Sequence, residues 1–584
     1  MLATLALALA ADVLPPALPW NGKSETLLLA PGHPWATPFE ASAGSRTPSY
    51  DETVAFLRRL AAASPELRLV SLGRSGEGRD VWMAVAARGG AATPEAVRRL
   101  GKPVLLVQAG IHAGEIDGKD ATLMLLRDAL ATKARRALLD RVSLLFIPIL
   151  NVDGHERSSE TNRINQRGPE RMGWRTNATN LNLNRDYAKA DTPEIRALLR
   201  ALDEWAPDLY VDVHVTDGAD YEYDVTYGWD AGNGHSPAIT QWLDARLRPA
   251  VDRDLEAMGH VPGPLIQVND ALDPGQGFGD WVADPRYSNG YGDARHLPTI
   301  LVENHSLKPF RQRVLGTVVF LDSLARVLDA GAPSLREAVA ADEARRPALV
   351  PLAWRAEGPK RDFAFKAVEW RLVPAPVAGG QRIEYLGRPK RITVPRQGMG
   401  PSIRVERPRA YWIPGAWRDV IERIALHGIR FETITAPRTV QVERYRLSDP
   451  RLGAPFEGRV PVTASVRSEV ATETFPAASV RVPTDQPRGD LAALLLEPES
   501  PDSLFQWGFF LSVLQPTEYV ETYVMAPLAE RMLAADGTLR AEYESKLAQD
   551  PAFAKDGAAR LEWLYRRTPY ADARHGIYPV ARER

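Results

Sequence analysis

The chain has no cysteine among its 584 residues. That excludes disulfides and thiolate metal sites, so any bound metal must use His, Asp or Glu. It also lacks an excess of charge of either sign, since 72 basic and 74 acidic residues leave a net charge of −2. The balance gives no support to a nucleic-acid partner or a polybasic membrane patch. No uncharged apolar run is long enough to span a bilayer, so no integral membrane segment is expected. The apolar start, residues 1–11, is too short for that. Its small residues before Asp12 read as a secretory signal without a basic beginning, which points to a periplasmic or secreted protein; a frayed apolar terminus is the plainer alternative.

What is present is ordinary: 45% hydrophobic and 25% charged residues, as in globular proteins. The length exceeds what one core usually supports, so two or three domains are expected. Residues 12–47 are rich in Pro, Gly and Ser and read as an extended lead-in. Over 48–330, short apolar runs alternate with helical periodicity. Strands are expected at 67–72 and 81–86 (a hairpin), 104–109, 142–150, 209–213 and 299–302. Helices are expected from Ser49 and at 119–130, 193–205, 237–258 and 312–328. This alternation argues for an α/β fold with a largely parallel, buried sheet. The polar, Arg-rich stretch 151–191 is too long for a simple connection and reads as an ordered active-site loop. Near Gly331-Ala332-Pro333 the pattern changes, and 331–584 is expected to be a β-rich accessory region. Its expected helices lie at 417–426 and 504–514, with a helical tail through 532.

Four short segments carry chemistry: Gly110-Ile111-His112-Ala113-Gly114-Glu115, Leu181-Asn182-Leu183-Asn184-Arg185, Val211-Asp212-Val213-His214 and Ile300-Leu301-Val302-Glu303. Alone, His112-x-x-Glu115 is a weak signal, and a hydrogen-bonded polar loop explains it equally well. Adding His214 at a strand end gives two His and one Glu, a catalytic zinc set with one coordination position left for water or substrate. Glu303, at the end of another apolar run, suits a general base, although a salt-bridged strand-end Glu is the ordinary alternative. Arg185 offers a planar fork for a carboxylate, and Asn184 can add a further hydrogen bond.

Taken in order, these segments resemble the zinc metallocarboxypeptidase family, the carboxypeptidase A-like fold, over roughly residues 48–330. His112, Glu115 and His214 resemble its metal ligands and Glu303 its catalytic glutamate. Asn184-Arg185 resembles the pair that holds the substrate's terminal carboxylate, and Arg175 in Trp174-Arg175-Thr176 the arginine that stabilises the oxyanion. Asn151-Val152-Asp153-Gly154 resembles a family turn, and 73–79 its early hairpin. The resemblance implies a mixed, mostly parallel sheet flanked by helices, a Zn2+ cofactor, and a peptide or peptide-like substrate with a free C-terminal carboxylate.

Three departures stand out. Asn182 replaces an Asp that orients a zinc-ligating His, and a neutral amide polarises the ring less. Gly275-Gln276-Gly277-Phe278-Gly279-Asp280-Trp281 matches a family segment, but 269–272 lacks the family's mobile Tyr; Tyr287 and Tyr291 are the nearest substitutes. The pocket near Phe278 and Gly279 brings no formal charge, which does not indicate a basic specificity, while Asp280 leaves that question open. Two other functions remain open: an amidase on cell-wall peptides or N-acyl amino acids, and a degenerate peptide-binding module. The sequence carries no signal for an oligomeric state.

Overall fold

The computed structural model describes residues 13–230, 232 and 234–584; the expected signal at 1–11 lies outside them. The first half forms strands β1 Leu67–Arg74, β2 Asp80–Ala86, β3 Val104–Ala109, β4 Ser143–Ile147, β5 Leu209–Val215, β6 Val225–Gly228, β7 Pro262–Gly263, β8 Phe278–Gly279 and β9 Thr299–Asn304. Eight of them make one sheet in the order β1-β2-β4-β3-β5-β9-β6-β7. The centre, β4-β3-β5-β9, is parallel, while β1, β2 and β6 join antiparallel. Every residue of β3, β4 and β5 is buried, which explains why these strands are continuous apolar runs rather than alternating ones.

Helices cover both faces. Asp117–Leu130 and Phe310–Glu343 pack on one side, in a core shared with Val107, Val211 and Val302. The close approach of the first helix depends on Gly118, where a Cβ would lie 2.8 Å from the Cβ of Val213. On the other side Pro193–Trp205 packs, capped by Thr192 with Pro193 at its first position. Its core is continuous with Val350, Tyr411, Leu491 to Leu496 and Phe505 of the second half. The two halves are therefore joined by apolar burial, not only by a linker.

Two expectations are corrected here. The boundary expected at 330/331 falls inside the helix Phe310–Glu343, which runs through Pro333. Proline costs one helical hydrogen bond, yet Leu328, Ala332 and Leu335 are buried on this helix and Trp242 packs against Gly331. Burial of that face outweighs the missing bond. The helix expected at 504–514 is a series of turns ending in a single 3-10 turn, Leu511–Leu514. Gly508 sits there at φ +77°, a left-handed conformation that interrupts a helix.

The second half is β-rich. Strands β10 Leu349–Ala375 and β11 Gly380–Glu406 form one long antiparallel hairpin. The remaining strands are β12 Ala410–Ile413, β13 Glu432–Thr433, β14 Arg438–Leu452, β15 Val462–Phe475, β16 Val480–Pro483 and β17 Ala581–Glu583, in the sheet order β13-β16-β12-β17-β14-β15. Helices at Arg418–Leu426, Gly489–Leu496 and Thr522–Tyr565 (in four pieces) complete it. Both long hairpins reach back to the first half. β11 adds β8 as a parallel neighbour, and the 453–461 turn between β14 and β15 meets Leu181 and Asn182. No helix among the described residues is long and apolar enough to cross a membrane.

Candidate active site

His112 and Glu115 follow β3, His214 is the penultimate residue of β5, and Glu303 lies at the same level in β9. These are carboxyl ends of parallel strands, where such sheets present ligands. His214 and Glu303 are direct register partners, so both project from the same face of the sheet about 5 Å apart along the hydrogen-bonding direction. Glu115, His112 and His214 are buried, and their donor atoms cluster tightly enough to share one ion.

The protonation pattern follows from the partners. His112 Nε2 faces Asn182 Oδ1 at 3.0 Å, and His214 Nε2 faces Asp212 Oδ2 at 2.9 Å. Oxygens accept there, so each Nε2 carries the proton and both Nδ1 atoms are left as lone pairs. Those two Nδ1 atoms lie 3.2 Å apart, and 3.0 and 3.1 Å from the two oxygens of Glu115. Lone pairs and a carboxylate at such separations repel unless a positive charge sits among them. The donor set, two imidazoles and one carboxylate, fits zinc.

Among the protein's own charges, a proton takes that place. Burial opposes charge on His214, but Asp212 and Glu115 outweigh it and hold the imidazole well above its ordinary value. Burial pushes His112 down to about 4. Burial also opposes the charge on Glu115, yet Arg163 and His112 hold its carboxyl well below the usual range. Glu303 is pushed up to about 8, first by burial and then by Glu115, Asp217 and Asp212. A dication among these groups would displace the proton from His214 and pull Glu303 down.

Around this centre is a cavity of about 690 Å³ that also holds Arg175, Asn184, Arg185 and Tyr287. All seven residues singled out from the sequence therefore line one cleft. Arg175 sits 3.3 Å from Glu115 Oε1 and 3.6 Å from Asp217. Its backbone is held by Asn151, whose Nδ2 donates to the Arg175 carbonyl (3.1 Å) and whose Oδ1 accepts from Gly154 N (2.9 Å). Gly154 must be glycine, because a Cβ would lie 2.6 Å from the carbonyls of Trp174 and Thr176. The hairpin turn supports the next residue: Ser75 Oγ and Arg79 Nη1 both donate to Asp153 Oδ1, at 2.8 and 2.7 Å. Arg185 lies over the Tyr287 ring at 4.7 Å and donates to the Asn184 carbonyl. Asn184 Oδ1 is buried with no hydrogen-bond partner among the described residues. Of the two tyrosines weighed earlier, Tyr287 lines the cleft while Tyr291 is buried against His427.

Residues 53–234 match the family model for zinc carboxypeptidases. Over that segment the chain is similar to zinc carboxypeptidases. Carboxypeptidase 2 of Trichophyton rubrum is 24% identical over 490 residues, covering 80% of this chain and 85% of that protein. Carboxypeptidase D of Homo sapiens is 31% identical over 188 residues, 26% of this chain and 13% of that protein. Among solved structures, a metallo-carboxypeptidase from Burkholderia cenocepacia is 19% identical, with a TM-score of 0.36, covering 48% of this chain and 70% of that one. The relatives matched are carboxypeptidases, which are hydrolases.

Five residues of the site escaped the sequence reading. Asp212, two residues before His214 on the same strand face, accepts from His214 and from Gln108 Nε2 (2.9 Å). Gln108 Oε1 in turn accepts from the hydroxyl of Tyr210 (2.6 Å), so a buried polar chain orients the imidazole. The period-two spacing of Asp212 and His214 on an apolar strand was the available signal. Arg163 Nη2 pairs with Glu115 Oε1 at 2.9 Å, and its stem fills the space above Gly114; nothing local in the sequence marks it. Glu457, at the tip of the β14–β15 hairpin, accepts from the Asn182 backbone N–H (2.7 Å) across 275 residues.

Proposed function

We propose that this chain is a zinc-dependent carboxypeptidase that hydrolyses the C-terminal amide bond of a peptide. The observation that carries the reading is the convergence of the two Nδ1 atoms on the Glu115 carboxylate, in the cleft that also holds Glu303, Arg175, Asn184 and Arg185. His112, Glu115 and His214 would hold the ion. When bound, zinc supplies a Lewis acid that polarises a carbonyl and brings the pKa of water toward neutrality.

The remaining work falls to the chain. Arg185 pairs its fork with the substrate's terminal carboxylate, and the side-chain Nδ2 of Asn184 donates a further hydrogen bond to it. This fixes which bond reaches the reacting centre. Arg175 donates to the scissile carbonyl oxygen as negative charge develops on it, a contribution of about 100- to 1,000-fold in rate for such donors. Glu303 takes a proton from the attacking water on its carboxylate and passes it to the leaving amine nitrogen. Asn182 and Asp212 keep the proton of each ligating imidazole on Nε2, so Nδ1 stays directed at the ion.

The test is Glu303→Gln, assayed for both metal content and release of the C-terminal residue from a blocked dipeptide. Full zinc content with turnover reduced by about 100- to 10,000-fold is expected for loss of a general base. Turnover near wild type would remove Glu303 from the mechanism. The degenerate-module alternative is disfavoured by this cleft, because a proposed base, three ligand positions and two cationic anchors all remain.

A further inference from the structure

The cleft is a two-part construction, and the part contributed by the second half bears on substrate choice. Four carboxylates line it: Glu115, Asp217, Asp280 and Glu303. Glu115 is committed to the two imidazoles and Arg163, and Asp217 lies between Arg163 (3.2 Å) and Arg175 (3.6 Å). Glu303 faces the reacting centre. Of these four among the described residues, Asp280, next to Trp281, is the candidate to meet a cationic substrate side chain.

Asp280 is already engaged. Arg396 of β11 reaches it with Nε at 2.6 Å from Oδ1, and the Asp280 backbone N–H donates to the Gln397 carbonyl at 2.7 Å. The register of β8 against β11, Phe278 beside Arg396 and Gly279 beside Gln397, fixes this pairing. Arg396 is further held over the rings of Phe278 and Phe363, each at 5.6 Å. Asp280 borders both the cleft and a second cavity of about 880 Å³, whereas Arg396 lines only the second. The cation thus approaches from behind the wall, and the wall itself is Leu265, Ile266, Val268, Leu301 and Trp281.

We propose that the ion pair between Arg396 of the accessory hairpin and Asp280 neutralises the candidate carboxylate for a substrate side chain, so that the cleft selects peptides with an uncharged, apolar C-terminal residue. This rests on the carboxypeptidase reading above. Burying a cationic side chain against that wall leaves its charge unpaired, which is costly. Removing Arg396 frees Asp280 to accept it.

The experiment compares kcat/KM on matched N-acyl dipeptides ending in Leu, Phe, Arg and Lys, for wild type, Arg396→Met and the double variant Arg396→Met/Asp280→Asn. Wild type should favour Leu and Phe over Arg and Lys by at least about tenfold, the scale on which a pocket discriminates side chains. Arg396→Met should raise the Arg-to-Leu ratio about tenfold or more, mainly through KM, and the double variant should lose that gain. A wild-type preference for Arg or Lys overturns the proposal, as does an Arg396→Met that lowers all substrates in parallel. In a parallel measurement, zinc-loaded protein is titrated calorimetrically with two succinates, one bearing a benzyl and one a guanidinoethylthio side chain. Tighter binding of the benzyl compound supports the proposal and tighter binding of the guanidine overturns it. If no dipeptide is hydrolysed, the carboxypeptidase reading falls, and the titration still decides the character of the pocket.

Discussion

Replacing Asn182 with alanine should weaken zinc binding without unfolding the chain. Asn182 is a buried residue whose Oδ1 accepts twice, from His112 Nε2 and from the Asn184 backbone N–H, both at 3.0 Å. The substitution leaves both donors buried without a partner. Each such loss costs about 1–3 kcal/mol. The part that falls on the metal is the freedom His112 gains: its ring can rotate, or move its proton to Nδ1, and either competes with coordination. Loss of a hydrogen bond that orients a ligating imidazole typically lowers affinity about 10- to 100-fold, or about 1.4–2.7 kcal/mol, which agrees with one unsatisfied donor. Asn182→Asp keeps the acceptor and adds charge, so its affinity should equal or exceed that of wild type. Competition of the apoprotein against a chromophoric chelator gives both constants, and a thermal melt of the apoprotein separates folding from binding. Wild-type affinity in Asn182→Ala, or equal weakening in Asn182→Ala and Asn182→Asp, would refute the reasoning.

Three further outcomes are expected. Arg185→Ala should raise KM for substrates with a free carboxylate by about 10- to 100-fold, the worth of a charge-assisted pair, while C-terminally amidated analogues change little; Arg185→Lys should recover only part of the loss. Acid should loosen the junction between the two halves. Burial opposes the charge on Asp191, but Arg459, Lys189 and Arg423 outweigh it and hold the carboxyl at about 2. A carboxyl depressed on folding contributes stability that is fully present above about pH 4 and is lost as pH falls through about 2, here about 2 kcal/mol. Melting temperatures measured from pH 5 down to 3 should therefore fall less steeply in Asp191→Asn than in wild type, and equal slopes would exclude this contribution. Gly118→Ala should push the helix Asp117–Leu130 off β5, since its Cβ meets Val213 at 2.8 Å. A destabilisation of about 1–3 kcal/mol by chemical denaturation is expected for such overpacking, and an unchanged midpoint would show that the helix shifts freely.

The legible part of the structure was the part set by local pattern. β3 and β9 are almost wholly buried apolar runs, and the helix Pro193–Trp205 is a one-faced apolar segment with a clear N-cap; such segments declare themselves by pattern. His112, Glu115 and His214 were readable because strand ends bring them together in any sheet of this order. Asp212 was readable in principle, being on the same face as His214, but its neighbour Gln108 comes from another strand. Arg163, Glu457 and Arg396 were not readable, because their partners lie 48, 275 and 116 positions away and their meeting depends on how hairpins dock. The helix through Pro333 and the turns at 504–510 differ from the local pattern for opposite reasons: tertiary burial outweighed a breaker in the first, and a left-handed glycine outweighed apolar spacing in the second.

The proposed activity requires one ion held by His112, Glu115 and His214 beside Glu303. Its most direct test is stoichiometric removal and return of zinc, with C-terminal release from a blocked dipeptide measured at each step. One zinc per chain, activity abolished when that zinc is removed and recovered in proportion as it is restored, and neither binding nor activity in His214→Ala, is the predicted result. Hydrolysis that survives complete removal of the metal, or a folded chain that takes up no zinc, would contradict it.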